Sequence, residues 1–309
     1  PQTVDALKDA GFDVINLANN HSMDWGESGL SETLFRLRSV GLKTIGAGET
    51  LAAARQPAIV EKNGLCVGFI GYGVPGPWNA TANRPGIAPI DRAMILDDVH
   101  ALREKMDLLI VSLHTGILSD YPNPEDRRLA RDLVDQGVDL ILGHGPHVLQ
   151  GVEIYRDRVI AYSLGNFIID LLSGNVENRV ALQEQIESII FDVALPCNGE
   201  PEVDYIPIMI SESLQTVPAN PGDAARIRIR METLSENLER MRGLALWEHA
   251  GGRVVEHEMR VLVFQAREVG WFHVLKRLRK IRWRHIRLLL GYLFARLSNK
   301  SRLRATGRQ

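Results

Sequence analysis

Short apolar runs alternate with amphipathic helical segments along most of the chain, and this alternation narrows the possible folds more than any other feature. Residues 107–113 and 139–142 are apolar, leucine-rich runs of strand length, and residues 124–136 between them have helical character. A strand–helix–strand order favours parallel pairing, because the chain must cross the sheet between two parallel strands. The sequence therefore predicts an α/β protein.

The remaining elements follow from the same periodicities and from turn residues. Helices are expected at 3–10, 27–40, 91–105 and 223–242, strands at 13–18, 43–45, 57–72, 151–170 and 186–195, and a weak strand at 250–265. Asn63-Gly64 predicts a hairpin turn within 57–72, and residues 156–158 predict another turn. The proline- and glycine-rich residues 73–90 predict a long surface loop. We expect two sheets, near 13–72 and 107–195.

Charge is divided unevenly along the chain. Residues 271–309 hold 12 of the 36 Lys and Arg residues and no Asp or Glu, which leaves residues 1–270 with a net charge of −14. Such a division predicts that the tail meets something anionic. With only two cysteines in the chain, a disulfide framework is not expected. No apolar run reaches the roughly 18 residues that span a bilayer. The chain begins at Pro1 within a helical pattern, so we expect a further N-terminal portion.

Three predicted strands end in loops that carry metal-capable side chains. Each such side chain alone is more typical of a turn or a cap, but three strand ends together favour one site, because ligands gather beyond the carboxyl ends of strands. Imidazole nitrogens and side-chain oxygens suit divalent transition metals, and two such ions can hold a phosphoryl oxygen and activate a water. The side chains are Asn19, Asn20, His21 and Asp24 in the first loop, His114 in the second, and His144 and His147 in the third.

The segments that carry these residues resemble one known family. GFDVINLANNHSMDWGESGL, VSLHTG, DQGVDLILGHGPHVLQGVEIY and VIAYSLGNF, taken in order, are similar to the CapA family of poly-γ-glutamate capsule synthesis proteins, in the calcineurin-like metallophosphoesterase superfamily. The resemblance covers about residues 1–245. It implies a metallophosphoesterase-like α/β sandwich, with two sheets flanked by helices, followed by a C-terminal extension at 246–309.

The resemblance also implies roles for individual residues. Two divalent ions (Mn, Fe or Zn) would be bound, and His21 would be the general acid, with Asp24 orienting it or contacting substrate. Asn19 and Asn166 would support the metal ligands without binding the metal ions themselves. The implied metal ligands are Asn20, His114, His144 and His147.

Some positions depart from the family pattern. The Gly-Asp strand end and the Asn-Leu-Glu segment, which supply acidic ligands in the family, are not found in this chain, so weaker metal binding is expected. The family's His-Trp-Gly is His114-Thr115-Gly116 here, with Leu118 in place of a Glu. The interval from His144 to His147 is one residue longer than in the superfamily's Gly-His-x-His, which makes the assignment of His147 the weaker of the two.

The tail from Trp271 onward has approximately helical apolar spacing with basic residues between, which predicts a basic amphipathic helix at about 270–298. Such a helix can lie on an anionic membrane surface, with Trp271, Arg277, Lys280 and Arg284 as contacts. Docking on the acidic body or on a partner subunit is the alternative. Nucleic acid is not expected, because no recognition motif accompanies the charge.

Together these features predict a metal-dependent, phosphoesterase-like hydrolase in capsule or cell-envelope polymer biosynthesis. Its substrate would be an anionic polymer or a phosphoester, and the protein would be peripherally associated with a membrane. The alternative is a non-catalytic, membrane-associated factor that binds the polymer and assists its export or assembly.

Overall fold

The computed structural model describes residues 2–115, 118–169, 182–196 and 199–240, together with Leu290. The helices are α1 (Gln2–Asp9), α2 (Gly26–Ser39), α3 (Leu51–Ala54), α4 (Arg92–Arg103), α5 (Pro124–Asp135), α6 (Leu182–Ile186) and α7 (Pro221–Arg240). The strands are β1 (Val14–Asn16), β2 (Lys43–Ile45), β3 (Ala47–Gly48), β4 (Ala58–Lys62), β5 (Leu65–Gly73), β6 (Gly86–Ile87), β7 (Leu108–His114), β8 (Leu140–His144), β9 (Val152–Tyr155), β10 (Arg158–Ala161), β11 (Glu187–Ala194), β12 (Glu202–Ile210) and β13 (Thr216–Pro218). The predicted α/β class is confirmed.

A six-stranded sheet forms the centre of the fold, in the order β4-β5-β7-β8-β10-β9. Its four inner strands run parallel and its two edge strands pair antiparallel, through hairpins, with their neighbours. The parallel pairing expected from the strand–helix–strand order is therefore confirmed. Helices α4 and α5 make the crossovers that parallel strands require.

The predicted division into sheets near 13–72 and 107–195 is wrong. Strands β4 and β5 belong to the same sheet as β7, β8, β9 and β10, whereas β1 pairs with β2 in a separate two-stranded sheet. The crossover through α4 lays β7 directly beside β5, so strands from both predicted ranges share one hydrogen-bonded ladder. Strands β11, β12 and β13 form a third, antiparallel sheet.

The core lies on the inner strands of the large sheet and under the helices. Strand β7 is buried along almost its whole length, as expected for a strand covered on both faces. Helix α7 buries one face, and its four buried side chains are spaced four, three and four residues apart, as an amphipathic helix requires. Those side chains are Ile227, Met231, Leu234 and Leu238.

Two tight turns join antiparallel strands of the sheet. Asn63 and Gly64 both have positive φ, at 53° and 78°, so the predicted hairpin between β4 and β5 has the expected turn geometry. Arg156 and Asp157 also have positive φ, at 50° and 58°, and join β9 to β10. The turn predicted over 156–158 is thus confirmed but is one residue shorter, since Arg158 already belongs to β10.

Several elements were not predicted or lie outside the described residues. Residues 196–222 contain β12 and β13, and the predicted loop at 73–90 includes β6, which pairs with β3. The weak strand at 250–265, the basic helix at about 270–298 and the boundary at 245/246 fall outside the described residues and stay predictions. Among the helices that are described, none combines the length and hydropathy needed to cross a membrane.

Candidate metal centre

Two of the predicted ligands stand side by side at the carboxyl edge of the large sheet. His114 ends β7 and His144 ends β8, and the two residues are direct register partners in the parallel ladder. Since parallel strands begin and end at the same edges, this pairing places both imidazoles at one edge of the sheet. The convergence predicted for the second and third loops is therefore observed.

The first loop reaches the same place by another route. Strand β1 belongs to the small two-stranded sheet and does not share a ladder with β7 and β8. Even so, the Oδ1 atom of Asn20 lies 3.0 Å from Nε2 of His114. Two predicted ligands that are 94 residues apart in the sequence thus share one hydrogen bond.

His147 is held by its own partner. Its Nδ1 atom lies 2.9 Å from Oδ1 of Asn166. The amide nitrogen of Asn166 donates to the backbone oxygens of His147 and Gln185, so its oxygen must face the ring and accept a hydrogen bond from Nδ1–H. This hydrogen bond leaves Nε2 of His147 as an acceptor, the form in which imidazole binds a metal or a substrate proton. The backbone of His147 has a φ of 62°, which is uncommon outside glycine.

His21 and Asp24 form a solvent-exposed pair beside these residues. Nδ1 of His21 lies 2.8 Å from Oδ2 of Asp24, and their side chains are 66% and 58% exposed. The side-chain oxygen of Asn19 accepts a hydrogen bond from the backbone N–H of His21, forming an Asx turn. The predicted orientation of His21 by Asp24 is thus matched by a direct contact, and Asn19 shapes the turn that carries His21.

Burial keeps two of the histidines neutral at physiological pH. Burial, together with charge repulsion from the nearby His144, His147 and His21, lowers the pKa of His114 to about 4. Burial likewise lowers the pKa of His144 to about 4. A neutral imidazole has one ring nitrogen with a free lone pair, so no imidazolium has to lose a proton before a cation binds near pH 7.

Glycine is required at two positions beside the site histidines. Gly145 has a φ of 106°, and a Cβ atom there would collide with the backbone oxygen of Thr115 and lie 3.3 Å from Nε2 of His114. A Cβ at Gly143 would collide with the backbone oxygen of Tyr162. The glycines of the GHG run therefore let neighbouring chain segments close tightly around the histidines.

The donor atoms fit a divalent metal in part. The hydrogen bond between Asn20 Oδ1 and His114 Nε2, at 3.0 Å, brings two suitable donor atoms together. Both nitrogen and amide oxygen are suitable donors. Within the described part of the chain, however, no three His, Cys, Asp or Glu side chains form a group that could hold an ion. His114, His144 and His147 therefore do not make up such a group in the described residues, and the predicted ligands include no carboxylate.

One acidic residue near the site was missed by the sequence reasoning. Asp126, in the first turn of α5, forms a side-chain hydrogen bond with Thr115, the residue after His114. Burial and the neighbouring charge of Glu125 raise the pKa of Asp126, hydrogen bonds from Thr115 and Asn123 oppose the rise, and the resulting pKa is about 7. A helical Asp behind an Asn cap has no sequence signal that separates it from an ordinary first-turn residue.

Predicted contacts in the tail cannot be placed, since Trp271, Arg277, Lys280 and Arg284 lie outside the described residues. Leu118, which stands where the family pattern has a Glu, is half-buried.

Comparison with known proteins agrees with the motifs. Residues 1–171 match the family model described as bacterial capsule synthesis protein PGA_cap. The PGA biosynthesis protein CapA of Bacillus subtilis is 33% identical over 257 residues, which is 82% of this chain and 63% of that protein. The capsule biosynthesis protein CapA of Bacillus anthracis is 33% identical over 219 residues, 68% of this chain and 51% of that protein.

The chain therefore spans about half to two-thirds of the length of these relatives. Among solved structures, a 5'-nucleotidase precursor from Thermus thermophilus aligns with a TM-score of 0.44 and 16% identity, over 77% of this chain and 45% of that chain.

Proposed function

This chain belongs to the bacterial capsule synthesis protein family PGA_cap, and from that membership we propose that it is a metal-dependent, phosphoesterase-like hydrolase in capsule or cell-envelope polymer biosynthesis. The observation that carries the proposal is the meeting of Asn20, His114 and His144 at one sheet edge. Neutral nitrogens and an amide oxygen at this spacing are suited to a divalent cation.

The metal-holding residues in this proposal are Asn20, His114, His144 and His147. When bound, two Mn, Fe or Zn ions would supply positive charge for a phosphoryl oxygen and lower the pKa of a water. His114 and His144 need no deprotonation near pH 7, because burial already holds them neutral. Asn166 fixes the ring of His147 so that Nε2 is the free nitrogen.

The proton-transfer residue in the proposal is His21. Asp24 accepts a hydrogen bond from Nδ1–H of His21, and Nε2 is then the nitrogen that would give a proton to a leaving oxygen. The carboxylate at this position holds the ring of His21 in one orientation, with Nε2 turned away from Asp24. The exposure of the pair means that a bulky, solvated leaving group can approach it.

The substrate class proposed is an anionic polymer or a phosphoester of envelope metabolism. Support comes from the relatives, which are described as proteins of PGA and capsule biosynthesis. We place the protein at a membrane surface as a peripheral component, through the basic tail that includes Trp271, Arg277, Lys280 and Arg284. A peripheral position at the membrane agrees with a role in the biosynthesis of a cell-envelope polymer.

A second function is favoured by one specific observation. The described residues provide no group of three His, Cys, Asp or Glu side chains. A protein that kept the fold but bound metal weakly would serve as a non-catalytic factor that holds the anionic polymer at the membrane during export or assembly.

The test compares His21→Ala with His100→Ala in the full natural protein loaded with Mn²⁺. His100 is an exposed histidine on α4 that is hydrogen-bonded to Gln136, so its replacement controls for the loss of a surface imidazole. Hydrolysis of an aryl phosphate should fall roughly 100-fold or more in His21→Ala, with metal content unchanged, and should persist in His100→Ala. Full capsule formation by protein that holds no metal would instead establish the non-catalytic factor.

A further inference from the structure

The loop that carries Asn20 and His21 is not attached to the large sheet by backbone pairing. Among the described strands, β1 pairs only with β2, whereas His114 stands on β7 of the large sheet. The contact between Asn20 and His114 therefore needs some other connection to hold the loop in place. A single hydrogen bond at a partly exposed edge does not fix a loop to within the tolerance that catalysis demands.

Asn16 makes that connection. Its amide nitrogen donates to the hydroxyl oxygen of Ser112 at 2.7 Å, and its amide oxygen accepts from the backbone N–H of Ala18 at 2.9 Å. Asn16 is the last residue of β1, and Ser112 is two residues before His114 on β7. One side chain thus ties the start of the loop to the strand that carries the metal-binding histidine.

The surrounding chain leaves room for this side chain at two glycines. A Cβ atom at Gly46 would lie 2.7 Å from Oδ1 of Asn16, and one at Gly71 would lie 2.6 Å from the same atom. Both separations are too short for a carbon and an oxygen that are not bonded. The β2–β3 connection and strand β5 therefore accommodate Asn16 only because they have glycine at these points.

Ser112 and Ala18, at the two ends of the connection, are removed from solvent. Ser112 is 5% exposed and Ala18 is fully buried. Asn16 itself is half-buried, so water replaces its lost partners only in part, and its hydrogen bonds are costly to break. The amide of Asn16 is therefore a stiff link.

We propose that Asn16, through Ser112, is a positioning residue that holds Asn20 and His21 against His114. The catalytic part of this inference rests on the proposed hydrolase function, while the geometric part concerns the fold alone. Displacement of a reacting group by about 1 Å can cost on the order of 100-fold in rate. Loss of the link should accordingly lower kcat and leave KM for a small substrate nearly unchanged.

The experiment uses Asn16→Ala, Ser112→Ala and the double variant in the full natural protein. In Asn16→Asp, one carboxylate oxygen still accepts from Ala18 and the other accepts from the Ser112 hydroxyl, so this variant should restore the link. Ser235→Ala is the matched control, because it also removes a hydrogen bond between two elements. That bond runs from the N–H of Val152 to the Ser235 hydroxyl on α7.

The first measurement is the ¹⁵N NMR signal of the His114 imidazole in chelator-treated protein. The Nε2 signal should lose the signature of its bond to Asn20 in both single variants, with no further change in the double variant. It should return in Asn16→Asp and be unaltered in Ser235→Ala. An unchanged signal in Asn16→Ala overturns the inference, and Ser112→Ala decides the matter if Asn16→Ala does not fold.

The second measurement is kcat and KM for an aryl phosphate with Mn²⁺. A fall in kcat of about 10- to 100-fold at similar KM, with recovery in Asn16→Asp, supports the positioning role. An equal fall in kcat in Ser235→Ala would show that the effect reflects general stability, and it would overturn the positioning role. If the NMR signal responds as expected while no variant, including the natural protein, hydrolyses the ester, the hydrolase proposal fails and the link between loop and strand stands.

Discussion

At the scale of single residues, the site combines neutral histidines in the interior with an exposed histidine–aspartate pair at its rim. His114 is 8% exposed, and its pKa and that of His144 are lowered to about 4 chiefly by burial. His21 instead contacts a carboxylate and solvent. Histidine therefore occurs in two environments at this site. Burial favours the neutral ring of His114 and His144, whereas a carboxylate orients the ring of His21.

The lowered pKa of His114 predicts a specific pH dependence of stability in the metal-free protein. An unfolded histidine binds a proton below about pH 6.5, whereas folded His114 does so only near its pKa of about 4. The unfolded chain therefore takes up the proton first, and stability is lost as pH falls from about 6.5 towards 4. Between pH 7.5 and 5 this residue should contribute at most about 2 kcal/mol to that loss.

The measurement is urea unfolding at the two pH values. His114→Asn should lose less stability on acidification than the natural protein, and His100→Asn should behave like the natural protein. Asp126 acts in the opposite direction, since its raised pKa of about 7 makes the folded state hold the extra proton on acidification. An acid-induced loss of equal size in His114→Asn would show that this histidine is not the titrating group.

At the scale of elements, α5 connects the loop after β7 to the far edge of the sheet. Its cap, Asn123, accepts hydrogen bonds from the backbone N–H groups of Glu125 and Asp126, each at 2.9 Å. Within the same turn, buried Arg127 donates to Glu153 of edge strand β9 at 3.0 Å. The start of the helix is thus held at both the site loop and the sheet, which keeps Asp126 against Thr115.

Loss of the α5 cap should destabilise the fold by a defined amount. Asn123→Ala removes the acceptor of two backbone N–H groups and should lower the free energy of unfolding by about 1–2 kcal/mol. Asn123→Ser retains a capping oxygen and should lose much less. Thermal and urea unfolding of both variants provide the measurement, and equal stability of the alanine and serine variants would contradict the capping role.

At the scale of the whole molecule, charge separates the chain into an acidic part and a basic tail. Residues 1–270 have a net charge of −14, and residues 271–309 have 12 basic residues and no acidic ones. An anionic surface would attract the tail and repel the rest of the chain, which orients the protein on it. The body of the same chain is the competing anionic surface.

Removal of the tail should abolish binding to anionic membranes. The natural protein should sediment with phosphatidylglycerol vesicles at low salt and be released as salt rises, because each basic residue near the lipid contributes about 1 kcal/mol and is screened by ions. Truncation after residue 265 should leave the protein in the supernatant. A charge-reversed variant, with Arg277→Glu, Lys280→Glu and Arg284→Glu, should do the same. Undiminished sedimentation of the truncated protein would refute membrane binding through the tail.

Much of the fold could be predicted from the sequence, because local patterns decide local structure. Apolar periodicity placed α2, α4, α5 and α7 to within a few residues, and Asn63-Gly64 identified the hairpin. Strand β12 was missed, since Pro207 and alternating acidic residues obscure its period. The positions of the candidate site residues at strand ends were also largely predicted, while their chemical roles stay proposals.

What the sequence by itself determined is which segments form helices and strands, and which strand ends carry metal-capable side chains. Both depend on side chains only a few residues apart. Only the tertiary structure decided that β5 lies beside β7, that β1 stays outside the large sheet, and that Asn16 bonds Ser112 and Asn20 bonds His114. These pairings join residues far apart in the chain, so they depend on how the crossovers pack. Local sequence patterns do not predict that packing.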